Sequence, residues 1–197
     1  MSADLYGLDC DALRERLLAS APGGWPSLAS AVDFAAEHHA SQLRRGREEP
    51  FLNHLLRTAL LLCETAEQRD PSVLCAGVLH DVVEDTPVTV DQVEDAFGPR
   101  VGDLVRALTH PDPAPGESHH ERNLRWFEAL RWEGRDVHII KSADRLDNVR
   151  TMEGVFDAER RLTYLSETRE ALLPLTLASN TALYHALDAA LAEEENR

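Results

Sequence analysis

The residues best able to do chemistry in this sequence are a histidine and three carboxylates at the end of its most apolar helical run. His80 and Asp81 close that run, and Glu84 and Asp85 follow after two valines. Because isolated buried charge is costly, such a cluster needs a cation or another compensating partner. Helical spacing places His80, Asp81 and Glu84 on one face, so the pattern favours a cation site with spare carboxylates for proton transfer. Taken alone, His80-Asp81 also fits a histidine that interacts with the helix dipole beside a solvated aspartate.

Two other regions carry candidate site residues. His54 lies within an apolar helical run, where a lone histidine is more often a satisfied core residue than a ligand. In the second region, polar residues recur at three- and four-residue steps and therefore share one helix face. They are Lys141, Asp144, Asn148 and Thr151. That face is either a solvated surface with an intrahelical Lys–Asp pair or a surface that contacts a substrate.

The composition argues against several classes of protein. A chain of 197 residues, 43% hydrophobic and 28% charged, suits one globular domain with an ample core. The formal net charge of −15 argues against a nucleic-acid surface or an anionic membrane as partner. No apolar stretch is long enough to span a bilayer, and the N-terminus lacks the pattern of a signal peptide. Cys10, Cys63 and Cys75 are unclustered and predict buried thiols in a reducing cytoplasm.

Helical periodicity runs through nearly the whole chain. Helices are predicted at 27–43, 51–67, 72–84, 90–97, 99–108, 117–132 and 136–152, and two more within 157–194. Pro26, Pro99 and Asp70-Pro71 are typical helix starts, Thr89 is a predicted cap, and Pro174 lies near the break in the tail. Strand-like alternation does not persist anywhere. The pattern therefore predicts an all-α protein whose residues 1–197 form one domain, with a motif-bearing core at 27–156 and C-terminal helices at 157–194.

Several motifs together resemble the HD superfamily of phosphohydrolases. The order of His54, then His80-Asp81, then a distant Asp144 is similar to the ligand signature of that superfamily. The run Leu79-His-Asp-Val-Val-Glu-Asp-Thr86 and the motif Ala143-Asp-Arg-Leu-x-Asn148 narrow the resemblance to the hydrolase domain of Rel/SpoT homologues and small alarmone hydrolases. The segment from Glu37 to Arg45, with its His39 and Gln42, is similar to a histidine-glutamine-arginine-lysine stretch of that family. The resemblance implies a single-domain HD-type helical bundle of roughly eight to ten helices.

The resemblance also implies a role for each candidate residue. His54, His80, Asp81 and Asp144 would bind Mn²⁺, although such mixed nitrogen and oxygen sites accept other divalent ions too. Glu84 and Asp85 would orient and deprotonate the attacking water or protonate the leaving oxygen. The substrate contacts would come from Arg44, Arg45, Lys141, Asn148 and Thr151. The implied reaction removes pyrophosphate from the ribose 3′ position of guanosine tetra- or pentaphosphate, a small nucleotide.

Departures from the family pattern leave alternatives for the substrate. Leu55 stands where the family usually has proline, and Asp147 where it often has histidine. One residue is inserted between Arg44 and His54, so Arg47 is a rival for the role of Arg44 or Arg45. Another HD-type phosphohydrolase, acting on the 2′-phosphate of NADPH or on an adenine nucleotide, is one alternative. A non-catalytic nucleotide sensor and a purely structural helical domain are the others, and the oligomeric state and physiological metal stay open.

Overall fold

Helices make up the regular structure of this protein in a computed structural model, which describes residues 5–20 and 25–197. Within these ranges no strand forms, and a single antiparallel bridge joins Leu43 to Pro50. The all-α prediction is therefore confirmed. In the described residues, no helix combines the length and apolar character needed to cross a bilayer. Residues 1–4, which bear on the expected absence of a signal peptide, lie outside the described residues.

The chain divides into two compact units, residues 1–106 and residues 107–197. The first contains α1 (Cys10–Ser20), α2 (Pro26–His38), α3 (Leu52–Glu64), α4 (Pro71–Leu79), α5 (Val82–Asp85), α6 (Val90–Phe97) and most of α7 (Pro99–Leu108). The second contains α8 (His119–Leu130), α9 (Arg135–Arg150), α10 (Ala158–Glu167), a π-helical turn (Thr168–Leu172), α11 (Leu173–Ser179) and α12 (Thr181–Glu195). The prediction that residues 1–197 form one domain stays a prediction.

Helix α3 forms the centre of the first unit. Every residue from Asn53 to Cys63 is buried, and the helix packs against α1 and α4. Helix α2 packs on α4 and ends at His38, five residues earlier than the predicted end at Leu43. The residues that follow form a turn closed by backbone hydrogen bonds, from Phe51 N to Gln42 O at 2.9 Å and from Arg44 N to Glu49 O at 2.8 Å.

The predicted helix over 72–84 is interrupted at His80 and Asp81. Helix α4 ends at Leu79 and α5 begins at Val82, so His80 caps the first helix and Asp81 precedes the second. The predicted start is confirmed, because the Asp70 side chain accepts a hydrogen bond from Ser72 N at 2.9 Å. A Cβ atom on Gly77 would lie 2.6 Å from Leu62 Cδ1, which shows how closely α4 approaches α3. The interruption therefore places two polar residues directly beside a tightly packed helix pair.

Helix α9 forms the centre of the second unit, where it packs against α11, α12 and the π-helical turn. Its residues are buried from Val137 to Asp147. The tail differs from the prediction in the place of its break. Pro174 lies in the first turn of α11, and the chain breaks at Asn180, whose side chain accepts a hydrogen bond from Leu183 N at 2.9 Å. A proline in the first turn costs no hydrogen bond, because that N–H has no partner within the helix.

Candidate metal centre and polar pockets

Three side chains of the first unit converge at the interruption between α4 and α5. They are His54, His80 and Asp81, here called the metal trio, and each offers a ligand atom within 4.8 Å of the others. His54 Nε2 lies 3.6 Å and His80 Nε2 lies 3.3 Å from the same atom, Asp81 Oδ2. Both imidazoles are almost fully buried, with exposed fractions of 1% and 2%. The structure thus brings together three of the four predicted ligands, all from the first unit.

The orientation of His80 is fixed by a backbone hydrogen bond. Its Nδ1 lies 2.8 Å from the carbonyl oxygen of Gly77, and a carbonyl can only accept, so Nδ1 carries a proton. In the neutral ring the lone pair is then on Nε2, the atom that faces Asp81. A metal-ligating histidine usually donates a hydrogen bond from one ring nitrogen in this way, which orients the ring so that the other nitrogen faces the metal.

The donor set of the metal trio fits a divalent transition metal. Two imidazole nitrogens and one carboxylate oxygen suit Mn²⁺, Fe²⁺ or Zn²⁺ better than Ca²⁺, which prefers oxygen alone. Metal–ligand bonds of about 2.0–2.2 Å place neighbouring ligand atoms about 3–4 Å apart, as they are here. A cation between these atoms would offset the repulsion between the Asp81 carboxylate and the nitrogen lone pairs.

The two predicted catalytic carboxylates lie directly after the metal trio, on α5. Both Glu84 and Asp85 are exposed to solvent. Asp85 nevertheless has a raised pKa, because nearby protein atoms remove part of its hydration and the charge of Asp81 opposes ionisation. A hydrogen bond from Gln42 Nε2 to Asp85 Oδ2, at 3.0 Å, acts in the opposite direction by stabilising the carboxylate.

The arginines predicted to contact the substrate lie in the turn between α2 and α3. The guanidinium of Arg44 lies over the Phe51 ring, 5.7 Å from its centroid, within the range of a cation–π interaction. Arg45 is exposed, while Arg47 is half-buried. Glu49, near the end of this turn, accepts hydrogen bonds from Asn53 and from the buried Arg57, both on α3.

Helix α9 of the second unit carries the other predicted site residues. Asp144 is buried and receives two side chains, with Lys141 Nζ at 2.6 Å from Oδ2 and Asn148 Nδ2 donating to Oδ1 at 2.5 Å. Lys141 also lies over the Trp126 ring at 4.4 Å. The Thr151 hydroxyl donates to the carbonyl of Asp147 at 2.8 Å. The Lys–Asp pair of one alternative is present, but Lys141, Asp144 and Thr151 are buried and not solvated. A place for Asp144 beside the metal trio stays a prediction.

A cavity of about 490 Å³ opens in the second unit next to this helix face. Its lining includes the cationic side chains of Lys141, Arg145 and Arg160, the acidic side chains of Asp157, Glu159 and Glu167, and Asn148 and Tyr164, and it is called the second-unit pocket below. Arg145 is buried; its guanidinium lies 3.9 Å from the Tyr164 ring centroid and donates to the Thr168 hydroxyl at 3.0 Å. The acidic side chains balance the formal charge of the cations, so an anionic ligand would be held by individual cations and not by a net positive lining.

Comparison with known families assigns the fold. The HD domain family matches residues 31–178, a span that includes the metal trio, Asp144 and all the candidate substrate contacts. The chain belongs to the HD domain family. This HD domain is also similar to a solved structure described as a metazoan orthologue of SpoT that hydrolyses ppGpp. The TM-score is 0.77 at 30% identity, over 85% of this chain and 95% of that one. A Listeria monocytogenes protein, at 24% identity and a TM-score of 0.63, shares the fold.

Curated relatives of this HD domain include enzymes of alarmone metabolism. A guanosine-3′,5′-bis(diphosphate) 3′-pyrophosphohydrolase from Aquifex aeolicus is 35% identical over 161 residues, which is 82% of this chain but 23% of that protein. MESH1 of Drosophila melanogaster, a 3′-pyrophosphohydrolase of the same nucleotide, is 37% identical over 123 residues, or 62% of this chain and 67% of that one. The chain thus spans about a quarter of the Aquifex protein.

Parts of the HD domain that surround its polar groups were not among the predicted site residues. His39 and Gln42 belong to a stretch quoted for its family resemblance, but the contact of His39 with Gln42 and of Gln42 with Asp85 follows only from the fold. Arg160 and Tyr164 line the second-unit pocket and lie in an ordinary amphipathic helix. No spacing or motif distinguishes such residues from solvated ones, because their role depends on tertiary contacts.

Proposed function

We propose that this HD domain is a divalent-metal-dependent phosphohydrolase that removes the 3′-pyrophosphate from guanosine tetra- or pentaphosphate. The observation that carries the proposal is the metal trio, with Glu84 and Asp85 on the short helix that follows it. A structural helical domain has no need for two oriented imidazoles facing one carboxylate oxygen. A nucleotide sensor has no need for two further carboxylates beside them.

The metal would be held by the trio together with Asp144. The trio offers the buried ligands of the first unit, and Asp144 is included because its motif matches the position of the fourth HD ligand. When bound, the divalent cation supplies Lewis-acid polarisation of phosphate oxygens. Mn²⁺ is the proposed ion, because the family resemblance implies it. A site of two nitrogens and two carboxylate oxygens accepts this ion and leaves open positions for water and phosphate.

Glu84 and Asp85 would handle protons. Glu84 is exposed to solvent, where its carboxylate would orient an attacking water. The raised pKa of Asp85 helps a carboxyl group to hold a proton and donate it to a leaving oxygen. With two carboxylates in different surroundings, one can serve as base while the other serves as acid.

The substrate class follows from cationic and planar groups held in position. Arg44 lies over the Phe51 ring at 5.7 Å and is half-buried, and a guanidinium plane is suited to stacking on a purine. Arg45, Lys141, Asn148 and Thr151 complete the proposed contacts. The cations of the second-unit pocket would contact phosphates, between acidic side chains that balance their formal charge. The net charge of −15 disfavours nucleic acid but leaves room for a small nucleotide that meets local cations, and the free cysteines favour the cytoplasm.

The named activity of relatives supports the choice of nucleotide. The Aquifex aeolicus protein and MESH1 are both named as 3′-pyrophosphohydrolases of guanosine 3′,5′-bis(diphosphate). MESH1 is the more informative of the two, because the alignment covers 67% of its length.

A nucleotide panel tests the proposal. The purified full-length protein, loaded with Mn²⁺, is incubated with guanosine 3′,5′-bis(diphosphate), NADPH and 3′-phosphorylated adenine nucleotides, and the products are identified by mass. We expect intact pyrophosphate and GDP from the first nucleotide, and none after treatment with a chelator. Orthophosphate released from NADPH, without turnover of the guanosine nucleotide, would reassign the protein to the alternative HD phosphohydrolase class.

A further inference from the structure

The Gln42 amide joins two side chains of the first unit, the His39 imidazole and the Asp85 carboxylate. Its Nε2 donates to Asp85 Oδ2 at 3.0 Å, and its Oε1 lies 2.6 Å from His39 Nδ1. The three groups come from the end of α2, the turn after it and the end of α5. They therefore form a chain of hydrogen bonds between elements that are distant in sequence.

The direction of each hydrogen bond follows from what each group can do. The Asp85 carboxyl group accepts at Oδ2 both when it is ionised and when it carries a proton on Oδ1, so Gln42 turns its N–H groups toward Asp85 and its oxygen toward His39. His39 must then donate from Nδ1, which makes its ring the Nδ1–H tautomer. The other ring nitrogen, Nε2, is buried and has no hydrogen-bond partner in the described part of the chain. A neutral ring with its proton on Nδ1 can donate to Gln42 and leaves no buried N–H of Nε2 without an acceptor.

The two ends of this series of hydrogen bonds, His39 and Asp85, differ in rigidity. His39 is 3% exposed and its ring stacks on Phe51, with centroids 5.0 Å apart and planes at 24°. Asp85 is exposed and is the last residue of a four-residue helix. An exposed carboxylate at such a position has several accessible rotamers, so its orientation depends on the amide that holds it.

We propose that Gln42 is a positioning residue for Asp85, and that His39 fixes the orientation of the Gln42 amide. The inference rests on the proposed function, in which Asp85 transfers a proton during hydrolysis. A proton donor must lie within hydrogen-bonding reach of the leaving oxygen, and a displacement of about 1 Å can cost about a hundredfold in rate. The buried ring thus determines where an exposed carboxylate points.

The first test uses the tautomer of His39 and needs no activity. Long-range ¹H–¹⁵N correlation spectra of the full-length protein, prepared with diamagnetic Zn²⁺, distinguish a protonated ring nitrogen from an unprotonated one. We expect His39 to be protonated on Nδ1 and not on Nε2, and this signature to change in Gln42→Met, where the acceptor is lost. An Nε2–H tautomer in the unsubstituted protein would overturn the proposed direction of the chain.

The second test is a double-mutant cycle with guanosine 3′,5′-bis(diphosphate) and Mn²⁺. Gln42→Met should lower kcat by about tenfold to a hundredfold, with KM changed by less than about twofold. In an Asp85→Asn background the same substitution should have almost no further effect, because the group that it positions is already disabled. His39→Asn places an amide donor near the position of Nδ1 and should retain more activity than His39→Leu.

The outcomes separate this inference from the proposed function. Equal losses from Gln42→Met in the unsubstituted and Asp85→Asn backgrounds would show that Gln42 acts through the fold, and would overturn the positioning role. Inactivity of the unsubstituted protein on the whole nucleotide panel would overturn the proposed function, and the role of Gln42 in turnover with it. Circular dichroism and bound Mn²⁺, measured for every variant, identify losses caused by misfolding.

Discussion

The metal trio and the second-unit pocket hold charge in different ways. The trio brings lone pairs and a carboxylate together in a buried place, where a cation stabilises them. The pocket sets cationic side chains on aromatic rings among acidic side chains, so that its lining carries no formal net charge. A net charge of −15 describes neither region. The comparison teaches that formal charge disfavours large polyanionic partners, whereas a small phosphorylated ligand responds to local groups.

The largest expected effect comes from removing a ligand of the metal trio. The protein should hold about one divalent ion per chain, and His80→Ala should release it, because only two of the three ligands of the metal trio then remain. Metal content after gel filtration measures this. Added Mn²⁺ at a hundredfold excess over Kd should stabilise the unsubstituted protein by about 2.7 kcal/mol, and this gain should disappear in the variant. The control is His185→Ala, an exposed histidine of α12. Full metal occupancy in His80→Ala would disprove the ligand assignment.

The next effect separates metal binding from chemistry. Glu84→Gln keeps the shape of the side chain but removes its charge, so it should retain Mn²⁺ and lose turnover by on the order of a hundredfold. The exposed Glu128 on α8 provides the matched control, Glu128→Gln, which should not alter the rate. Normal turnover in Glu84→Gln would assign this carboxylate to the surface and leave proton transfer to Asp85.

A smaller effect tests the buried charge pair that faces the second-unit pocket. Lys141→Met removes the cation 2.6 Å from Asp144 and leaves that carboxylate buried. We expect a loss of about 2 kcal/mol in the free energy of unfolding, or roughly thirtyfold in the equilibrium constant, because Asn148 still donates to Asp144. Urea titration of the metal-free protein measures the loss.

The matched control for Lys141→Met is Arg131→Met, which breaks an exposed ion pair with Glu128. Because solvent screens exposed pairs, this substitution should cost no more than about 0.5 kcal/mol. Equal losses in the two variants would contradict the difference in burial on which the comparison rests.

Substrate affinity should respond to the second-unit pocket by about tenfold. Arg160→Met removes a cation from the lining but keeps an apolar contact with Phe156, over which the guanidinium lies at 5.0 Å. KM for the tetraphosphate should rise about tenfold with kcat little changed, because charge attraction acts mainly on ground-state binding. A fall in kcat at constant KM would place Arg160 in the chemical step instead.

The smallest effect under ordinary conditions belongs to the thiols of α3 and α4. Burial raises the pKa of Cys63 and of Cys75 from an ordinary value of 9.0 to about 11. The unfolded chain therefore loses these protons first. Stability from the neutral thiols is fully present below pH 9 and is lost as pH rises through about 11. Urea midpoints at pH 8 and pH 10 should differ more in the unsubstituted protein than in a Cys63→Ala/Cys75→Ala double variant.

The sequence predicted much of the fold because its helix signals are local. Thr89 illustrates this, since its hydroxyl accepts from Gln92 N at 3.3 Å and the Gln92 side chain accepts from Thr89 N at 2.9 Å. Such a cap is readable from two residue types at a fixed spacing. The predicted end of α2 at Leu43 was wrong, because the apolar periodicity continues into residues that instead close a turn with Phe51.

The candidate site was predictable where a sequence motif encodes it, but not where tertiary contacts determine it. His80 and Asp81 were identified as site residues. The helix interruption at these two residues was not predicted, because the surrounding valines and alanines fit one continuous helix. The contact from Gln42 to Asp85 spans 43 residues and depends on how α2 and α5 lie in the folded unit. Distances of this kind are set by packing, which no local pattern specifies.

The turn between α2 and α3 gives the protein a place where its sequence can change without affecting the metal. Backbone hydrogen bonds between Gln42 and Phe51 close its base, and Asn53 and Arg57 of α3 hold Glu49. An insertion or deletion among residues 45–48 is therefore absorbed at the exposed tip, while His54 keeps its position. If the arginines of this turn contact the nucleotide as proposed, such a change would alter the substrate contacts while the metal trio keeps its arrangement. The turn would then let nucleotide preference vary separately from metal binding.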